Sequence, residues 1–151
     1  MLKILGKRSS INVRKVLWTC DEVGLTYQQE DYGSGFQPVD TAEFRALNPN
    51  ALVPVLLDDD FVLWESNSIC RYLTRKAGRE DLLPVTPQGA ADIERWMDWQ
   101  ATEFNNAWRY AFMGLVRKDP RFQDPTAMKE SIAAWTRCVQ IVESQLQRTG
   151  A

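Results

Sequence analysis

Apolar positions along the chain change period several times, and each change marks an element. Lys3-Ile4-Leu5 is a short apolar run of the kind that fills a buried strand. From Ile11 the spacing turns helical through Val13, Val16, Leu17, Cys20 and Val23, and Gly24 stands where a helix of that length stops. Leu25 to Asp31 predicts a second strand, so the opening is β-α-β, with parallel strands and a right-handed crossover. Residues 33–40, GSGFQPVD, read as a loop.

Thr41 to Leu47 predicts a short helix, stopped by Asn48-Pro49-Asn50. Val53 to Leu57 and Phe61 to Trp64 predict a hairpin around Asp58-Asp59-Asp60. Ser66 to Lys76 is helical again through Ile69, Tyr72 and Leu73, with Arg75, Lys76 and Arg79 complementing the dipole at its end. The first domain is therefore α/β, in the order βαβ-α-ββα over residues 1–77. Residues 78–89, carrying Pro84 and Pro87, read as a linker. Two long helices, about 90–116 and 126–147 with DPRFQDP between them, make residues 90–151 an all-helical region.

Composition narrows the function. With 151 residues, 44% of them hydrophobic, the chain holds one core or a compact domain plus part of a second. Eighteen Lys and Arg against 20 Asp and Glu give a formal charge of −2, which provides no field to hold nucleic acid or anionic lipid. A small molecule or a protein is the expected partner. No apolar run reaches the roughly 18 residues of a membrane span, and the N-terminus has no signal-peptide core, so a cytoplasmic location is expected. Cys20, Cys70 and Cys138 are odd in number and widely spaced, which supports neither a disulfide framework nor a dithiol motif. There is no histidine, so Ser-His and Cys-His pairs and histidine metal sites are excluded, and no metal is expected.

Three places could carry chemistry. Between the first strand and helix lie Ser9, Ser10 and Asn12, which either cap the helix or donate hydrogen bonds to a thiolate seated at its N-terminus. Arg14 and Lys15 fall in the first turn, where positive charge opposes the dipole unless something anionic compensates it. Pro54 removes a ladder donor, so it sits on an edge or follows a cis peptide bond that turns the N–H and C=O of Val53 toward a peptide-like ligand. Glu65-Ser66 begins a helix, either as its cap or as a clamp in which helix N–H groups bind a carboxylate and Glu65 meets an ammonium.

The stretch NPNALVPVLLDDDFVLWESNSICRYL, Asn48 to Leu73, resembles the N-P-x-x-x-V-P-x-L … L-x-E-S-x-x-I-x-x-Y-L pattern of the glutathione transferase superfamily. ADIERWMDWQ, Ala91 to Gln100, is similar to the start of the helical domain in a bacterial branch of it. The resemblance implies a thioredoxin-like N-terminal domain followed by an all-helical C-terminal domain, truncated here. It implies glutathione as co-substrate, with no metal, and a serine-type enzyme of detoxification whose thiolate attacks a small hydrophobic electrophile or a peroxide.

Residue by residue, Val53 pairs through its backbone with the cysteinyl part of glutathione beside a cis-Pro54, and Glu65 and Ser66 hold the γ-glutamyl group. Ser10 takes the place of the serine of serine-type members, and Asn12 falls where a related bacterial branch has an asparagine near the sulfur. Ser9 and Leu52 complete the expected glutathione-binding set, although many members have Lys, Arg or Gln at the position of Leu52. The aromatic helix with Trp96, Trp99, Phe104, Trp108, Tyr110 and Phe112 resembles the lining of the electrophile pocket, with Trp108 and Phe112 as its candidates; the same spacing also suits a helix core.

A homodimer is implied as well. The chain stops at QRTGA after two long helices, so apolar faces around Trp96, Trp99, Phe104 and Trp135 are expected to be exposed, favouring association or a covering partner. The alternative reading is a non-catalytic interaction module of the same fold, or a fragment that binds glutathione without turnover.

Overall fold

The structure, a computed structural model, describes residues 1–150. Four strands, β1 (Leu2–Leu5), β2 (Tyr27–Glu30), β3 (Val55–Asp58) and β4 (Phe61–Trp64), form one sheet in the order β2-β1-β3-β4. β1 and β2 are parallel, and the other two pairs are antiparallel. Helices α1 (Ile11–Val23), α2 (Ala42–Leu47) and α3 (Ser66–Lys76) complete the predicted βαβ-α-ββα order of the thioredoxin-like domain.

Alternation along the strands divides the core. Leu5 and Val55 pack with Phe44 of α2, and Tyr32, Val39, Leu47 and Val53 lie against that cluster. The alternate residues Ile4 and Leu56 are fully buried and face the other way. α1 and α3 pack on each other, burying Val13, Val16, Leu17 and Cys20 against Ile69, Cys70 and Leu73. The helical period read from the sequence is thus the period of burial. Gly24 ends α1 in the left-handed conformation, φ 72°, and its N–H reaches the carbonyls of Asp21 and Cys20.

Boundaries differ from expectation where pairing decides them. β2 spans Tyr27–Glu30 instead of 25–31, because its one neighbour, β1, offers only four residues to pair with. β3 begins at Val55 instead of Val53, since Pro54 has no N–H to give a ladder. At the other end of the hairpin, Asp58 is buried, accepts hydrogen bonds from Tyr72 Oη (2.5 Å) and Lys76 Nζ (2.6 Å), and so ties the last turn of α3 to the sheet.

Contacts divide the chain into two compact units, the first running to Ile93 and the second starting at Glu94. Residues 77–86 are turns and bends, and the next helix, α4 (Pro87–Trp99), starts inside the stretch 78–89 expected as linker, with proline in its first turn. The predicted helix 90–116 is interrupted: a π-helical turn at Gln100–Phe104 separates α4 from α5 (Asn105–Leu115). α6 (Pro125–Thr149) follows.

In the second unit, α5 and α6 are joined by Ser131, whose hydroxyl donates to the Ala107 carbonyl (2.6 Å) and accepts from the Ala111 N–H (3.1 Å). Trp135 is 45% exposed, as expected, with Ile132, Val139 and Leu146 exposed on the same helix. Trp96, Trp99 and Phe104 are instead half-buried, because the three rings pack in sequence, Trp96 edge-on to Trp99 at 5.5 Å and Trp99 tilted against Phe104 at 5.3 Å. No helix of the described residues is long and apolar enough to cross a membrane.

Candidate functional site

One row of paired residues, Glu30, Leu5, Val55 and Trp64, crosses the whole sheet. The segments that leave the sheet beside this row are Gly6 to Ser10 after β1, Val53-Pro54 before β3 and Glu65-Ser66 after β4. All three places singled out in the sequence therefore emerge at one end of the sheet. Gly6 brings two of them together. Its φ of 148° suits glycine, and a Cβ there would lie 2.5 Å from Val13 Cγ2 and 3.0 Å from Val53 Cβ. Sequence reading passes over Gly6, since nothing local to it marks a contact with a residue so far along the chain.

Ser10 occupies the N-cap position of α1, with extended φ and ψ of −77° and 127°, yet its side chain makes no capping hydrogen bond. Its carbonyl accepts the Arg14 N–H (2.9 Å), the first bond of the helix. Asn12, the second residue of α1, is half-buried, and Ser9 is exposed. Of the basic side chains around this helix start, Lys7 Nζ donates to the Ser34 carbonyl (2.9 Å), Arg8 Nε to the Gln29 amide (3.1 Å) and Lys15 Nζ to the Asn67 amide (2.7 Å). Positive charge thus collects around an uncapped helix N-terminus, an arrangement that favours an anion.

The Val53-Pro54 peptide bond is cis. Neither the N–H nor the C=O of Val53 has a hydrogen-bond partner among the described residues, so both remain available to an added peptide. Leu52 is 63% exposed, and its carbonyl accepts from Asn48 Nδ2 (2.8 Å), which braces the loop before the proline.

Glu65 is exposed and stands at φ 72°, ψ 108°, a conformation that costs a non-glycine residue about 1–3 kcal/mol. It is the N-cap of α3, again with no side-chain capping bond. Ser66, only 7% exposed, is the first helical residue. A carboxylate placed here would meet N–H groups of the first turn and the Ser66 hydroxyl, with the exposed Glu65 side chain able to take an ammonium.

The two buried thiols are poor candidates for the reacting sulfur. Burial pushes the Cys20 thiol up to about 12. Burial also raises Cys70, against the smaller opposing effects of the Thr19 hydroxyl at 3.2 Å and the nearby Lys15 charge. Both stay protonated near neutrality and are inert as nucleophiles. No group of three or more His, Cys, Asp or Glu among the described residues could hold a metal ion.

Trp108 and Phe112 lie in the second unit, half-buried on α5, with rings edge-on at 5.0 Å and the Arg117 guanidinium 5.4 Å above Phe112. They form one aromatic cluster. An open depression of about 570 Å³ in the same unit is lined by Trp96 and by α6 residues, including Arg137, Ile141 and Arg148, and not by that cluster.

Residues 1–75 match the family model described as glutathione S-transferase, N-terminal domain. The chain is 39% identical over 150 residues to glutathione S-transferase GstB of Escherichia coli strain K12, covering 98% of this chain and 72% of that protein. It is 38% identical over 123 residues to glutathione S-transferase 3 of Zea mays, covering 77% of this chain and 53% of that one. Among solved structures, the theta class glutathione S-transferase of Xanthomonas axonopodis pv. citri with glutathione bound superimposes with a TM-score of 0.88 at 37% identity, over 97% of this chain and 70% of that one.

Proposed function

The chain belongs to the glutathione S-transferase family, and from that premise we propose how its three segments divide the work of a glutathione transferase. The γ-glutamyl end of glutathione lies at the start of α3, its carboxylate on the helix N–H groups and Ser66 and its ammonium on Glu65. The cysteinyl peptide pairs with the N–H and C=O of Val53 beside Pro54, with Ser9 and Leu52 at the edges of the groove. The sulfur lies at the start of α1, where the Ser10 hydroxyl donates to it and Asn12 stands second in line.

The single observation that carries this reading is that α1 and α3 begin at one end of the sheet with N-cap residues whose side chains do not cap. Two helix starts left uncapped by side chains at one end of the sheet suit one ligand with two anionic ends, a thiolate and a carboxylate. No histidine or other general base is required: the thiol proton leaves to solvent, and hydrogen bonds with the helix dipole hold the thiolate. The thiolate then forms a carbon–sulfur bond with an electrophile as the leaving group departs with its electron pair. The protein supplies a lowered thiol pKa and proximity.

The acceptor is a small hydrophobic electrophile, or a peroxide reduced at the expense of two glutathione thiols, with Trp108 and Phe112 in its pocket. The acting form is a homodimer, and the setting is cytoplasmic detoxification. Calorimetry with glutathione on the purified chain tests the reading, alongside turnover of a generic aromatic halide. Wild-type protein is expected to bind, and Glu65→Ala to bind at least about tenfold more weakly, the least expected from losing a charge-assisted contact. Wild-type protein that binds no glutathione would falsify the proposal.

A further inference from the structure

Within that reading of the α3 start, we infer that Lys15 is a positioning residue for the γ-glutamyl carboxylate, acting through Asn67 and through its own charge. Lys15 sits on α1 yet spends its reach on α3: its Nζ donates to Asn67 Oδ1 at 2.7 Å, and Asn67 directly follows Ser66. The two helix starts are thereby joined side chain to side chain, across 52 residues of sequence. One turn further on, the Thr19 hydroxyl donates to the Lys15 carbonyl (2.8 Å) and lies 3.2 Å from Cys70 Sγ, so the same polar seam continues between the helices.

Half-burying an ammonium costs free energy that an apolar side chain at this packing position would not. Burial accordingly lowers the Lys15 pKa, against smaller opposing effects of the neighbouring Cys70 and Glu65. The cation provides what an apolar side chain could not. It fixes the Asn67 amide in one orientation, and it adds a positive charge behind the helix start toward which a carboxylate would turn. Glu65 supplies the opposite sign on the exposed side of the same turn. A zwitterionic head group is then oriented by two protein charges of opposite sign, with the carboxylate inward and the ammonium outward.

The test compares two ligands on three proteins: S-methylglutathione and its analogue with the γ-glutamyl α-carboxylate amidated, against wild type, Lys15→Met and Lys15→Arg. Lys15→Met is expected to weaken S-methylglutathione about five- to tenfold, the scale of one charge acting on a partly buried carboxylate, and to leave the amide within about twofold. Lys15→Arg should restore most of the loss. In turnover, the KM for glutathione should rise in Lys15→Met while kcat at saturation stays level.

Equal weakening of both ligands, no weakening, or an arginine variant no better than methionine overturns the inference while leaving the glutathione reading intact. Wild-type protein that binds neither ligand overturns the reading itself, and the inference with it. If Lys15→Met does not fold, Asn67→Leu gives the same ligand-selective readout with α1 unaltered.

Discussion

Helix starts in this chain are finished in two ways. At α2 the Thr41 hydroxyl accepts the Phe44 N–H (3.1 Å), and at α6 the Asp124 carboxylate accepts the Ala127 N–H (2.8 Å). At α1 and α3 the residues in the same position, Ser10 and Glu65, make no such bond. A capping bond is worth about 1 kcal/mol, so α1 and α3 each forgo that much stability. Glu65 adds a strained backbone to the deficit. The difference teaches that residue type does not decide whether a helix start is capped: serine is among the best caps, yet Ser10 keeps its hydroxyl free where a ligand's anion is proposed to lie.

Exchanging what the two kinds of start do is the sharpest way to break this contrast. The largest effect is expected from Glu65→Gly, which removes the proposed ammonium partner and admits the left-handed backbone freely. Glutathione affinity should fall about a hundredfold while thermal stability holds or rises. Retained affinity would mean that Glu65 is strained for some other reason.

Ser10→Ala comes next. It should lower kcat/KM for glutathione conjugation about ten- to a hundredfold, with stability changed by less than about 0.5 kcal/mol because no capping bond is lost. Should Asn12→Ala show the larger rate loss instead, the sulfur contact belongs to Asn12. The converse pair, Thr41→Ala and Asp124→Ala, should each cost about 1 kcal/mol in denaturant unfolding and leave glutathione binding untouched. Equal stability losses in all of these variants would erase the distinction between the starts.

The smallest effect concerns pH at the end of α3 remote from its start. Hydrogen bonds from Lys76 and then Tyr72 hold the Asp58 carboxyl below its ordinary value of 3.8. A lowered folded-state pKa contributes stability above the unfolded value and loses it as pH falls through the folded one. Wild-type protein should therefore exceed Asp58→Asn in stability at neutrality, and the gap should close below about pH 4. A gap that persists into acid would assign the difference to packing and not to charge.

Much of the fold is legible from period alone. α1 and α3 announce themselves because Val13, Val16, Leu17 and Cys20, and then Ile69 and Leu73, recur at helical spacing and are the residues buried. Two strand edges are not legible, since the length of β2 depends on its partner and the start of β3 on which residue first has a donor. The π turn at Gln100–Phe104 escapes the reading for a related reason: its residues carry no breaker, and a periodicity that counts turns does not register one extra residue.

Of the candidate site, residue types and their pairing into motifs belong to the sequence by itself. Val53-Pro54 and Glu65-Ser66 each join residues next to one another in the chain, and the chemistry of each pair follows from donors and acceptors that it carries anywhere. Only the tertiary structure decides that the pairs meet, because a sheet row from Leu5 through Val55 to Trp64 brings three distant segments to one end. It alone decides that Gly6 must lack a side chain, that Lys15 reaches Asn67 and that Ser10 leaves its helix uncapped. Each of these depends on a distance between atoms far apart in the chain or on a rotamer, and spacing along one dimension carries neither.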